Sequence, residues 1–167
     1  MPKLSAGILV YRGSQQQLEV FLVHPGGPFW AKKDKGAWSL PKGEYAEGET
    51  PWEAAKREFQ EETGQPVPGG EPLELGQVKY GNKILTAWAI AGEMDASRVS
   101  SNMFSMEWPP RSGKTQEFPE VDRAGWFTPA VAQTKLVSGQ VELVDRLLQK
   151  LGISQPQNDE PTQISLL

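Results

Sequence analysis

Residues Gly43 to Gly64 read GEYAEGETPWEAAKREFQEETG, and the second half of that stretch decides how the rest of the chain is arranged. Thr50 can cap a helix, Pro51 takes the first helical position, where its missing N–H is no loss, and Glu53 completes a T-x-x-E capping box. Gly64 supplies a stop able to adopt positive φ. A helix over about Pro51 to Thr63 is therefore predicted. Trp52, Ala55 and Phe59 form an apolar stripe at spacings of three and four, which fastens the helix to a core. Glu58, Glu61 and Glu62 fall at i, i+3 and i+4 and stack their carboxylates on one face beside that stripe. Like charges so placed destabilise an isolated helix by roughly a few tenths of a kcal/mol per pair. A divalent cation would offset the repulsion; a solvated acidic face is the plain alternative. Mg²⁺ takes oxygen ligands, keeps several waters and completes its shell with substrate phosphates, which suits carboxylates on a rigid helix.

Gly43, five residues, Glu49, seven residues, then Arg57-Glu58-Phe59-Gln60-Glu61-Glu62-Thr63-Gly64 resembles the Nudix box, with every charged and glycine position present. The position after the final glycine is usually aliphatic in that family and is Gln65 here, a departure expected to affect local packing and not metal binding. Trp38-Ser39-Leu40-Pro41-Lys42 resembles the segment leading into the box, and Phe118 to Phe127 the run into the family's last strand. The likeness spans most of residues 3–150.

The resemblance implies an α/β/α sandwich with a mixed β-sheet, in a hydrolase domain over residues 1–152. It also implies Mg²⁺ or Mn²⁺, held by Glu58, Glu61 and Glu62 with the carbonyl of Gly43. Glu49 is expected to pair with Arg57, whose guanidinium grips a carboxylate bidentately. Members of the family often recruit a further acidic residue as base or ligand; Glu120 is the first choice and Glu117 the reserve, while a solvated loop carboxylate is the alternative for Glu120.

The composition narrows the classes. The 167 residues carry a formal charge of −4, no cysteine and one histidine, His24. Disulfides, a thiolate nucleophile and zinc–thiolate sites are thereby excluded, as are a His pair and a three-His zinc centre. No broad basic surface is available for nucleic-acid backbone, so stable nucleic-acid binding is not expected. The sequence shows no charged-then-apolar leader and no apolar run of the roughly 18 residues a membrane helix needs, and a cytoplasmic location is expected. His24 ends an apolar strand and reads as a satisfied strand-end histidine.

Ala6–Tyr11 and Leu18–Val23 read as a hairpin joined by Gly13 to Gln17, and Leu73–Tyr80 and Lys83–Ala91 as a second hairpin turned at Gly81-Asn82. Between them lies a loop, His24 to Gly36. A long loop is expected over Glu93 to Pro119, then a short strand at Gly125–Thr128 and helices near Pro129–Lys135 and Gln140–Leu151. The polar tail, 153–167, is expected to be flexible.

Lys42, Lys32, Lys33 and Arg111 are candidates for outer phosphates, and Trp30 and Tyr80 for an aromatic platform; solvated surface and wall packing are the alternatives. The implied reaction is metal-dependent hydrolysis of a nucleoside diphosphate linked to another group, such as a nucleoside triphosphate or dinucleoside polyphosphate. An RNA 5′-end pyrophosphohydrolase, suggested by Pro119-Glu120-Val121-Asp122, and a noncatalytic nucleotide sensor on the same fold remain alternatives. The oligomeric state is not readable.

Overall fold

In the structure, a computed structural model that describes residues 2–153, the carboxylate-bearing helix α1 spans Pro51–Thr63, as its capping residues dictate. Thr50 accepts the Glu53 N–H and Gly64 closes the helix at φ 72°, in the left-handed region that favours glycine. Only half of the expected capping box forms, because the Glu53 carboxylate pairs with Lys56 at 3.0 Å. Thr50→Ala should lower stability by about 1 kcal/mol in denaturant unfolding, the usual worth of one cap; an unchanged midpoint would contradict the assignment.

A mixed sheet runs through the centre in the order β4-β5-β1-β2-β8. Its strands are β1 (Lys3–Arg12), β2 (Glu19–Pro25), β4 (Leu73–Tyr80), β5 (Lys83–Ala91) and β8 (Val121–Phe127). The short strand β3 (Lys42–Glu44) pairs off this path with β1. The β1–β5 pair is parallel and the others antiparallel, so both expected hairpins form and β1 joins them side by side.

Side chains alternate across a strand, and here both faces are apolar. Ala6, Ile8 and Val10 of β1 and Phe21 and Val23 of β2 meet Ala54, Ala55 and Phe59 of α1 on one face. Leu9, Val20, Leu22, Leu85 and Ala87 point the other way. There they meet α2 (Pro129–Lys135) through Ala132, and α3 (Val141–Leu151) through Leu143, Val144, Leu147 and Leu148. This is the α/β/α sandwich, with α1 pinned against the sheet so that its carboxylate face meets β3. Among the described residues no helix is long and apolar enough to cross a membrane.

Three expectations need correction. The segment Glu93–Pro119 is not a featureless loop: it holds a two-stranded antiparallel hairpin, β6 (Met103–Glu107) and β7 (Thr115–Pro119). The last strand starts four residues earlier than read, at Val121, and pairs along β2. The third helix begins at Val141 after a 3₁₀ turn over Ser138–Gln140, which leaves Gln140 outside the α-helix and wholly buried. The tail from residue 154 onward lies outside the described residues.

Candidate active site

Close packing of α1 on β3 builds the acidic cluster. The Lys42 N–H donates to Glu62 Oε1 at 3.3 Å, and a methyl group placed on Gly43 would lie 1.8 Å from Glu58 Oε1. Only a residue without a side chain lets the Glu58 carboxylate lie against this backbone. Arg57 occupies the middle of the cluster: Nε and Nη2 grip both oxygens of Glu49 at 2.8 and 2.9 Å, while Nη1 donates to Glu58 at 2.7 Å and Glu61 at 3.3 Å. The expected Glu49–Arg57 pair is thus bidentate and ties the 45–50 loop to the helix.

Glu120, between β7 and β8, is set by its own backbone. Its N–H donates to the Asn102 carbonyl at 2.9 Å, and the N–H of Asn102 donates to the Glu61 carbonyl at 2.9 Å. One residue, Asn102, therefore ties Glu120 to the carboxylate helix. Glu117 lies within β7 and pairs with Ser105, apart from the cavity wall.

Burial pushes the Glu62 carboxyl up to about 8, against the pull of the Lys42 charge and N–H, with the Glu120 and Glu58 charges adding to it. Burial also raises Glu58, against its bond from Arg57, and raises Glu120 with help from the charges of Glu58 and Glu61. Glu49 is held low by its bonds from Arg57. Among the described residues no three acidic or histidine side chains converge, as placed, on a common point that could hold an ion. The donor set nevertheless fits a hard cation: it is all oxygen, and three of its carboxylates resist ionisation in one another's company.

A carboxyl whose folded pKa exceeds its unfolded value binds more protons folded than unfolded. The stability it contributes is intact at low pH and is lost as pH rises, for Glu62 from 4.5 to about 8. Glu49, Asp34 and Asp95 are held low and act below this window. Chelator-treated protein should therefore melt lower at pH 8 than at pH 6, and Mg²⁺ or Mn²⁺ should raise the melting point more at pH 8. A melting point indifferent to both pH and cation would contradict this.

A cavity of about 310 Å³ adjoins the cluster and is lined by Glu62, Glu120, Lys42, Trp30, Tyr80 and Lys83, among others. Of the basic candidates, Lys42 alone lines it. Lys33 packs its ammonium 4.5 Å from the Phe29 ring and 5.2 Å from Trp30; Lys32 is exposed on the same loop; Arg111 lies in the connection between β6 and β7. The structure brings Trp30 and Tyr80, 50 positions apart in the sequence, to one cavity.

Sequence reasoning missed Ser39, Lys83 and Gln140 in the cavity wall. Only Ser39 lay in a segment singled out beforehand. His24 is satisfied, as expected: its Nδ1 meets Asp122 at 2.9 Å and its Nε2 meets the Lys33 carbonyl at 2.6 Å, with the ring wholly buried. It anchors the loop that carries Trp30.

A mixed-sheet α/β/α sandwich with a carboxylate-rich helix beside a cavity of mixed polar and aromatic lining defines the class of protein. The NUDIX domain family matches residues 1–147, and the chain belongs to that family and is a Nudix hydrolase. No curated protein matches the sequence. Solved structures share the fold. An Ap4A hydrolase of C. elegans in a binary complex has a TM-score of 0.61 at 19% identity, over 90% of this chain and 98% of that one. The NUDIX domain of Shewanella oneidensis NrtR, complexed with ADP ribose, gives 0.60 at 19%, over 90% and 89%. The C-terminal domain of mouse MUTYH, complexed with human PCNA, gives 0.56 at 16%, over 94% of each. At such identities the likeness concerns fold, and this fold serves proteins of different kinds.

Proposed function

We propose that the protein is a Mg²⁺- or Mn²⁺-dependent pyrophosphohydrolase acting on a small-molecule nucleotide, a nucleoside diphosphate linked to another group. The observation that carries this reading is that one cavity is lined both by Glu62, Glu120 and Lys42 and by Trp30 and Tyr80. The first set suits phosphates and a cation, the second a flat apolar group. Two of the structures sharing the fold bear names of ligands in this class, Ap4A and ADP ribose.

Glu58, Glu61 and Glu62 would hold the cation, with the Gly43 carbonyl as a further oxygen donor. When bound, the cation supplies charge neutralisation on the phosphoryl oxygens. The chain's own residues divide the remaining work. Lys42 offers its ammonium to a phosphate oxygen at the cavity wall. Glu120, whose carboxyl is raised and whose backbone is fixed to α1, takes a proton from the attacking water. Arg57 keeps the 45–50 loop and α1 together and positions Glu58.

Incubation with nucleoside triphosphates, dinucleoside polyphosphates, nucleotide sugars and triphosphorylated RNA, followed by chromatography, identifies the bond broken. Cleavage of a small nucleotide is the expected result. Exclusive cleavage of RNA 5′ ends, or nucleotide binding without any cleavage, would overturn it.

A further inference from the structure

Ser39, Leu40 and Gln140 close a ring of hydrogen bonds at the cavity wall. The Leu40 N–H donates to Gln140 Oε1 at 3.0 Å, Gln140 Nε2 donates to Ser39 Oγ at 3.0 Å, and the Ser39 hydroxyl donates to the Leu40 carbonyl at 2.6 Å. A backbone N–H cannot accept, so the orientation of the buried amide is determined: its oxygen faces Leu40 and its nitrogen faces Ser39. The single proton of Ser39 is thereby directed to Leu40, and a lone pair is what its oxygen has left to offer. Gln140 is wholly buried, whereas Ser39 is only partly so and lines the cavity. The Ser39 backbone is fixed as well, exchanging both of its hydrogen bonds with Val23 at 2.8 and 3.0 Å.

Ser39 stands three residues before Lys42, whose N–H meets Glu62. Three residues of extended chain span at most about 10 Å. A nucleotide with its phosphates beside Glu62 and Glu120 therefore reaches Ser39 with its base, where the wall also has Trp30, Tyr80, Ala37 and Val137.

We infer that Ser39 accepts a hydrogen bond from an amino group on the substrate's base, with Gln140 as the positioning residue that sets its polarity. The cavity thus prefers 6-aminopurine and 4-aminopyrimidine nucleotides to their oxo counterparts. This rests on the nucleotide reading above but is tested apart from hydrolysis.

Titration calorimetry of the full chain in Mg²⁺ with AMP, IMP, CMP and UMP reads the preference directly. AMP should bind about tenfold more tightly than IMP, and CMP than UMP, the effect of one hydrogen bond made or lost at a desolvated site. Ser39→Ala should weaken AMP and CMP to the level of IMP and UMP. Equal affinities in the natural chain, a preference that survives Ser39→Ala, or no binding of any of the four would overturn the inference. Turnover of the substrate panel with equal AMP and IMP affinities would sink this inference and leave the hydrolase reading intact.

Discussion

Replacing Glu58 with Gln should lower kcat by about 10³-fold, equivalent to ~4 kcal/mol of barrier, while the melting point stays within a few degrees of the natural protein. The amide keeps the shape of the side chain that lies against Gly43 and removes the charge a cation needs. Stability has little reason to fall. Glu58 is a carboxylate that burial and the Glu61 charge already discourage from ionising, and Arg57 retains its bidentate grip on Glu49. Steady-state kinetics with a parallel thermal melt check both halves. Retained turnover would remove Glu58 from the site, and a collapsed melting point would make its role structural.

Gly43→Ala is expected to cost almost as much activity by a different route. The added methyl would fall 1.8 Å from Glu58 Oε1, 2.0 Å from its Cδ and 2.7 Å from its Cγ. The backbone at residue 43 lies outside the left-handed region, so alanine meets no conformational strain there. The whole conflict is with one flexible side chain, which can swing aside at small cost to the fold. Once displaced, that carboxylate no longer lies beside β3 with Glu62. We expect kcat to fall by about 10²-fold, since misplacement of a reacting-centre group by an ångström costs on that order. A melting point near that of the natural protein should accompany it. Full activity would show that the approach of Glu58 to β3 is dispensable.

The sequence made α1 legible to the residue because its signals are local: a threonine cap, a proline at the first position, and a glycine whose φ of 72° ends the helix. The two hairpins around β1 were legible for a similar reason, since alternating apolar runs face the core. The β6–β7 hairpin was not. Its strands are largely exposed, with Ser105, Glu107, Thr115, Gln116 and Glu117 facing solvent, its apolar face is limited to Phe104, Met106 and Phe118, and Trp108-Pro109-Pro110 interrupts the connection, so the pattern is too short to advertise it.

The candidate site divides in the same way. Glu49, Arg57, Glu58, Glu61 and Glu62 lie on one loop and helix with fixed spacing, and the bond from Lys42 to Glu62 follows from the short strand just before them. Glu120 rested on a single acidic residue in a segment resembling the family, and the peptide link through Asn102 is visible only in three dimensions. Ser39 and Gln140 meet across 101 residues of chain, a distance over which no local pattern operates. Lys32, Lys33 and Arg111 are loop cations. A lone basic side chain carries no spacing to say where it points, and the aromatic neighbours of Lys33 took its ammonium instead.

The most direct test of the central claim is turnover of the panel substrate by chelator-treated protein as Mg²⁺ or Mn²⁺ is titrated back, with products separated at each step. The account predicts no cleavage without cation, a saturable rise as cation is added, and no comparable rise in Glu58→Gln. Cleavage that proceeds equally well without divalent cation would contradict it.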